Sequence, residues 1–343
     1  MDPVLVEVTR GGRVESAHRG AAIVVDAAGK VVFEAGAVDL AIFSRSAVKA
    51  LLALPMVETG AAARLGLTDA EIALACSSHS GEEDHVATAT SMLAKAGRDV
   101  ATLECGTHWP SYDAAARALA AAGKLPSALH NNCSGKHSGF ICLACDRGDD
   151  PTGYVKPDHP TMKMVTAALA DMTSTVLDER NIAVDGCSIP TFAIPLRALA
   201  LAFARFGSGQ GMSPDRAAAA RRIRTAVAAQ PRMVAGTNRF DTSVIAALGE
   251  RAFVKGGAEG VHCGTIPELG LGFAVKCDDG AGRAADVVTA ALIARLLPNN
   301  GAPDPVVAGL AQRTLTNWNG IDVGTMRPAG PLVAGVPGAD RLT

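Results

Sequence analysis

The sequence predicts an α+β fold: an antiparallel sheet built from both chain ends, with flanking helices and a central helical layer. Three observations carry this. Alternating apolar runs open the chain, helix-period runs occupy its middle, and strand-like runs bounded by turn residues return after residue 250. A helical layer inserted between the two halves of one sheet lets each bury its apolar side. The 343 residues are read as one domain with two soft lobes, an α/β part at about 1–75 and 235–343 and a mainly helical part at about 76–234.

Taken in order, Val4-Leu5-Val6-Glu7-Val8 alternates as a strand and Arg10-Gly11-Gly12 turns the chain. Ala21–Asp26 and Lys30–Glu34 flank a short Gly-containing link, a hairpin signal. Ser46 opens a helical reading, and the apolar Ala50–Leu54 run stops at Pro55. Thr68-Asp69-Ala70-Glu71 has a helix-start pattern ahead of an apolar run that suits a strand equally well. Helices are expected over 85–96, 111–122, 161–172, 196–206 and 213–229, the last with Ser213 as cap and Pro214 at the first position. Late strands are expected at Arg251–Lys255, ending at Gly256-Gly257, and at Gly272–Lys276. Arg283–Leu297 follows as an apolar helix.

Composition narrows the function classes. The net charge is −2 and no basic run appears, which argues against nucleic-acid binding. No apolar run is long enough to span a bilayer, and the first residues lack the regions of a signal peptide, so a soluble cytoplasmic protein is expected. In that compartment the eight cysteines are not expected to form a disulfide framework. Most, including Cys142 and Cys145, read as small core residues.

Four constellations carry chemistry. Ser44-Arg45-Ser46-Ala47-Val48-Lys49 places a hydroxyl and an amine at i and i+3, on one face of a helix. A neutral amine there can serve the serine as base, the arrangement that starts acyl transfer in Ser-x-x-Lys enzymes. The apolar residues after Lys49 draw it into the interior, where desolvation favours the neutral form. Cys76-Ser77-Ser78-His79-Ser80-Gly81-Glu82 reads either as an active-site loop or as a serine-capped helix start. Lys255-Gly256-Gly257 at a strand end completes the order in which Ser-x-x-Lys acyltransferases carry their parts. Asn131-Asn132-Cys133-Ser134-Gly135-Lys136-His137, with Asp185-Gly186-Cys187, offers zinc donors, although its spacing matches no zinc signature and two buried thiols beside a loop are the plain alternative.

Together these segments resemble the rhizobial-type (class 3) L-asparaginase II family. Cys105-Gly106-Thr107-His108, Asp158-His159-Pro160, Met233-Val234-Ala235-Gly236 and Ala258 match in order as well. The resemblance implies a serine β-lactamase/glutaminase-like fold, a homodimer, and hydrolysis of L-asparagine to L-aspartate and ammonia. It implies two catalytic Ser–Lys pairs, Ser46 with Lys49 and Ser78 with Lys255, and zinc held by Cys133, Lys136 and Cys187. Asp185 falls to an acid beside the metal, and Arg45, Asp185 and His137 are assigned to the substrate. Ala50 departs from a proline often found after the motif lysine, and Gly256-Gly257 from the usual pair after Lys255. Rival readings are glutaminase, β-lactam or peptide hydrolysis, attack by zinc-activated water, and a non-catalytic amino-acid sensor.

Overall fold

The alternating N-terminal residues pair as antiparallel strands in the computed structural model, which describes residues 1–298 and 300–333. β1 (Val4–Arg10) turns at Gly11-Gly12, both left-handed (φ +53° and +81°), into β2 (Arg13–Asp26). β2 begins well before the expected Ala21. Its first residues are mostly exposed and carry no apolar pattern, and backbone pairing with β1 (Val6↔His18, Glu7↔Ala17) holds them. The Asp26 carboxylate accepts the N–H groups of Ala28 and Lys30, both at 2.9 Å, and so shapes the turn into β3 (Val31–Ala35).

The remaining strands are β4 (Ala41–Phe43), β5 (Ile182–Val184), β6 (Pro190–Pro195), β7 (Phe253–Gly257), β8 (Val261–Ile266), β9 (Leu271–Cys277), β10 (Arg313–Thr316) and β11 (Asp322–Pro328). Both chain ends contribute to one eight-stranded sheet, ordered β10-β11-β1-β2-β9-β8-β7, with β3 also on β2. Its central pairing is antiparallel and unbroken from Gly20↔Cys277 to Asp26↔Leu271. The expected mixture of antiparallel sheet and helices is therefore present. β8 has no sequence signal because all six of its residues are buried, which erases the alternation.

The chain divides into two compact units. The first comprises Met1–Ala47, Ile194–Gly211 and the chain from Val254 onward; the second comprises Val48–Ala193 and Met212–Phe253. In the first, helix Leu196–Ser208 packs on β2, β8 and β9. Gly272 permits the close approach, because a Cβ there would collide with the backbone of Ala200 and Ala204.

In the second unit, helix Ser134–Asp146 is buried from Ser134 to Ala144 and packs among the neighbouring helices, Asp69–Ala75 and Glu83–Lys95 foremost. Its entry lies against the end of helix Asp69–Ala75, where a Cβ on Gly135 would strike the Leu74 backbone. Thr68 settles the strand-or-helix ambiguity at that helix. Its hydroxyl accepts from Glu71 N, and Glu71 Oε2 accepts from Thr68 N at 2.7 Å, a complete capping box. Two expectations are corrected here. Pro55 does not end a helix: helix Lys49–Leu52 stops first, and Pro55 sits in the first turn of a second helix, Leu54–Glu58, where its missing N–H costs nothing. Cys145 is only half-buried, with Arg98 Nε 3.4 Å from its sulfur.

Candidate active site

Helix Asp69–Ala75 delivers the chain into the hydroxyl-rich loop, and the packed entry of helix Ser134–Asp146 delivers Cys133 and Lys136. Lys49, at the first turn of its short helix and 1% exposed, meets both. Its Nζ donates to the Ser77 carbonyl, to Ser78 Oγ at 3.0 Å and to Cys133 Sγ at 3.2 Å. Of residues 77–80 only Ser78 is not buried, so the loop presents that hydroxyl, while Ser80 Oγ donates to the Ala235 carbonyl at 2.7 Å. The serine-cap alternative is replaced by a different cap. Glu82 precedes helix Glu83–Lys95, and its N–H is accepted by His85 Nδ1 at 3.2 Å.

Lys136 and Cys187 lie next to this group. The β5–β6 hairpin turns at Asp185–Ser188, with Ser188 left-handed at φ +77°, and holds Cys187 buried. Lys136 Nζ donates to Cys187 Sγ at 2.9 Å, and Asp185 Oδ2 lies 3.4 Å from the same sulfur. The two cysteines share a hydrogen bond. That bond, helped by the charges of Lys49 and Lys136, holds the Cys133 thiol well below its ordinary value against the effect of burial. The same bond, with burial, pushes the Cys187 thiol up. Burial opposes charge on Lys136, but the two sulfurs outweigh it and raise the amine's pKa. The cluster is thus a thiolate, a thiol and an ammonium in contact. Among the described residues no group of three or more His, Cys, Asp and Glu side chains could hold a metal ion; the expected donor set counts the Lys136 amine as its third member.

His137, one residue on, is fully buried and neutral. Burial first, then the charges of Lys136 and Lys49, keep it well below the ordinary histidine value. Tyr154 Oη accepts from Glu104 N (2.9 Å), and burial pushes the phenol up, so its proton goes to His137 Nδ1 at 2.6 Å. The ring proton then sits on Nε2, which has no hydrogen-bond partner among the described residues. Tyr154 escaped the sequence reading, because a lone tyrosine in a Thr-Gly-Tyr turn carries no local signal.

Arg45, Ser46 and Lys255 belong to the first unit. Ser46 is half-buried in a 3₁₀ turn, Arg45–Val48, where an α-helix start was expected. Arg45 holds a left-handed backbone (φ +48°), unusual outside glycine. β7 runs beside this turn: a Cβ on Gly257 would lie 3.0 Å from Ala47 N and 3.2 Å from Ser44 O. Gly256-Gly257 are the last two residues of β7, as expected, and the missing side chain of Gly257 lets the Ser46 turn approach. Lys255 is 1% exposed, with Nζ 2.6 Å from the Gly256 carbonyl. The structure thus brings Lys49 to Ser78 and Cys133, brings Lys136 to Cys187 and Asp185, and sets Lys255 on the strand beside the Ser46 turn.

Among the described residues no helix is long and apolar enough to cross a membrane. The family model described as L-asparaginase II matches residues 6–328, nearly the whole chain. The chain matches no curated protein.

Proposed function

The chain belongs to the L-asparaginase II family and is thus an amidohydrolase, and we propose that it hydrolyses L-asparagine to L-aspartate and ammonia through a lysine-activated serine. The observation that carries this is the buried Lys49 amine 3.0 Å from the Ser78 hydroxyl. A buried amine held against a hydroxyl is the arrangement that arms a poor nucleophile.

In the proposed sequence Lys49 first gives a proton to the Cys133 thiolate 3.2 Å away; Ser46 then attacks the side-chain amide carbon and the freed amine accepts the hydroxyl proton. The C–N bond breaks, and ammonia leaves with that proton. Water then cleaves the ester, its proton passing by way of Lys49 back to the serine oxygen, and aspartate departs. Backbone N–H groups of the Arg45–Val48 turn receive the developing oxyanion. Ser78 and Lys255 relay protons or hold substrate, Arg45 and Asp185 bind the charged ends of the amino acid, and His137 offers its Nε2–H. A second reading exchanges the serines. Ser78 becomes the nucleophile, favoured by its contact with Lys49.

Cys133, Cys187 and Lys136 fit a zinc ion as donors. The two sulfurs already share one proton and Lys136 already meets one of them, so a cation replacing the protons finds thiolate and amine ligands in contact. When bound, zinc would supply a Lewis acid that orients the substrate beside Lys49. The reading includes a serine β-lactamase/glutaminase-like, class 3 fold working as a cytoplasmic homodimer.

The test is ammonia release from asparagine against glutamine, with mass spectrometry of the protein under turnover. Asparagine is expected to be preferred, with an aspartyl ester on Ser46 that S46A abolishes along with turnover. An ester on Ser78 selects the second reading. Turnover with no trappable adduct in either place would remove the covalent route.

A further inference from the structure

His79 takes no part in the reaction just described, yet it is fully buried and its hydrogen-bond directions are all determined. Gly81 N–H donates to His79 Nδ1 at 3.1 Å, so the ring proton must lie on Nε2. From there it is donated to Ser134 Oγ at 2.8 Å, and the Ser134 hydroxyl donates in turn to the Leu129 carbonyl at 2.9 Å. The backbone N–H of His79 reaches the Asn132 carbonyl at 3.2 Å, and Ser78 N–H reaches the Val234 carbonyl at 2.9 Å. The ring also stacks on His85, with centroids 5.0 Å apart.

These bonds join two particular pieces of chain. One is the loop that carries Ser78; the other is the Asn131–Ser134 turn that carries Cys133. Ser78 Oγ and Cys133 Sγ are both in contact with Lys49 Nζ. We propose that His79 is a positioning residue that, through Ser134, holds the Ser78 hydroxyl and the Cys133 turn at their separation around the Lys49 amine. Its two ring nitrogens are committed one to each of those segments, Nδ1 to Gly81 of the loop and Nε2 to Ser134 of the turn. The inference rests on the functional reading above, because it assumes that Lys49 and Ser78 act in the reaction.

The variants separate the two ring bonds. In H79N the shorter amide can still accept from Gly81 N–H but falls short of Ser134. In H79Q the longer amide nitrogen can reach Ser134. S134A removes the acceptor without touching the loop. For asparagine hydrolysis, H79N and S134A are expected to lose about 10–100-fold in kcat with KM within about twofold, since small misplacements of reacting groups cost on that order. H79Q should recover a good part of the loss. Thermal midpoint and bound zinc per chain are measured for each variant. The proposal is overturned if both H79N and S134A keep kcat, if H79Q is no better than H79N, or if the loss only follows the folded or metal-loaded fraction. Wild-type enzyme run alongside keeps the two claims apart, since an inactive wild type strikes the functional reading instead. In that event a crystal structure of S134A decides the positioning alone: the Lys49 Nζ–Ser78 Oγ separation should exceed hydrogen-bonding distance, and an unchanged separation refutes it.

Discussion

Around Cys133 the second unit sets ionised side chains in contact with one another, while around His79, reached along the same turn, it sets imidazole rings against backbone groups and a hydroxyl. The sulfur cluster holds a thiolate between Lys49 and Lys136, with Cys187 sharing its proton. The imidazole cluster holds His79 and His85 stacked, each accepting a backbone N–H at Nδ1 and leaving its proton on Nε2 for an oxygen. Burial first, then the neighbouring ring and the Lys49 charge, keep His79 well below the ordinary histidine value. Both clusters satisfy the rule that buried polar groups need partners, by opposite means. Paired charges leave a site able to take up or give up protons and ligands. Neutral rings with every bond assigned leave a brace.

The sharpest way to break this contrast is to remove a charge. Lys49→Met should cut asparagine turnover by about 10²–10⁴-fold, the usual range for a positioned general base, with circular dichroism unchanged. Near-wild-type turnover would show that the charged cluster is not the reacting one. The next largest effect concerns metal. Zinc titrated into metal-free protein should release about two protons per ion, from the Cys187 thiol and the Lys136 ammonium, because ligands must be deprotonated. Cys133→Ser should abolish stoichiometric zinc. Proton release well under one per ion would locate binding elsewhere. The smallest effect belongs to the neutral rings. His79 and His137 are both depressed in the folded chain, so below about pH 6.5 the unfolded chain binds protons that the native one refuses. Stability present above that pH is therefore lost on acidification down to the folded values, by about 1.4 kcal/mol per pH unit for each ring. Urea unfolding between about pH 6.5 and 5 should show this slope, and H79Q should remove roughly one ring's share. An unaltered slope in H79Q would mean that its ring is charged after all.

Legibility differed sharply between elements. Ser213-Pro214 announced its helix because cap and proline act within one turn, and Ser213 does accept from Arg216 N at 3.3 Å. The first half of β2 and all of β8 were silent. One is held by backbone pairing without burial, the other is buried throughout, and neither leaves a period to read. Gly256-Gly257 read as a strand end and do end β7, but the reason for glycine at 257 is the Ser46 turn beside it, which no local pattern records. In the candidate site, the residue types and their order along the chain were readable, and so was the burial of Lys49. The neighbours were not: the contact of Lys49 with both Ser78 and Cys133, and the Tyr154 hydroxyl on His137, join residues far apart in sequence.

Local chemistry therefore decided what this chain could express alone: which segments are helical, where they are capped, and which side chains are able to ionise, attack or bind. Those depend on interactions spanning a few residues, and a linear pattern records them. Tertiary structure alone decided which of those side chains stay charged and which carry their protons where. A proton's position depends on the groups within a few ångströms, and here those groups arrive from separate elements brought together only by packing.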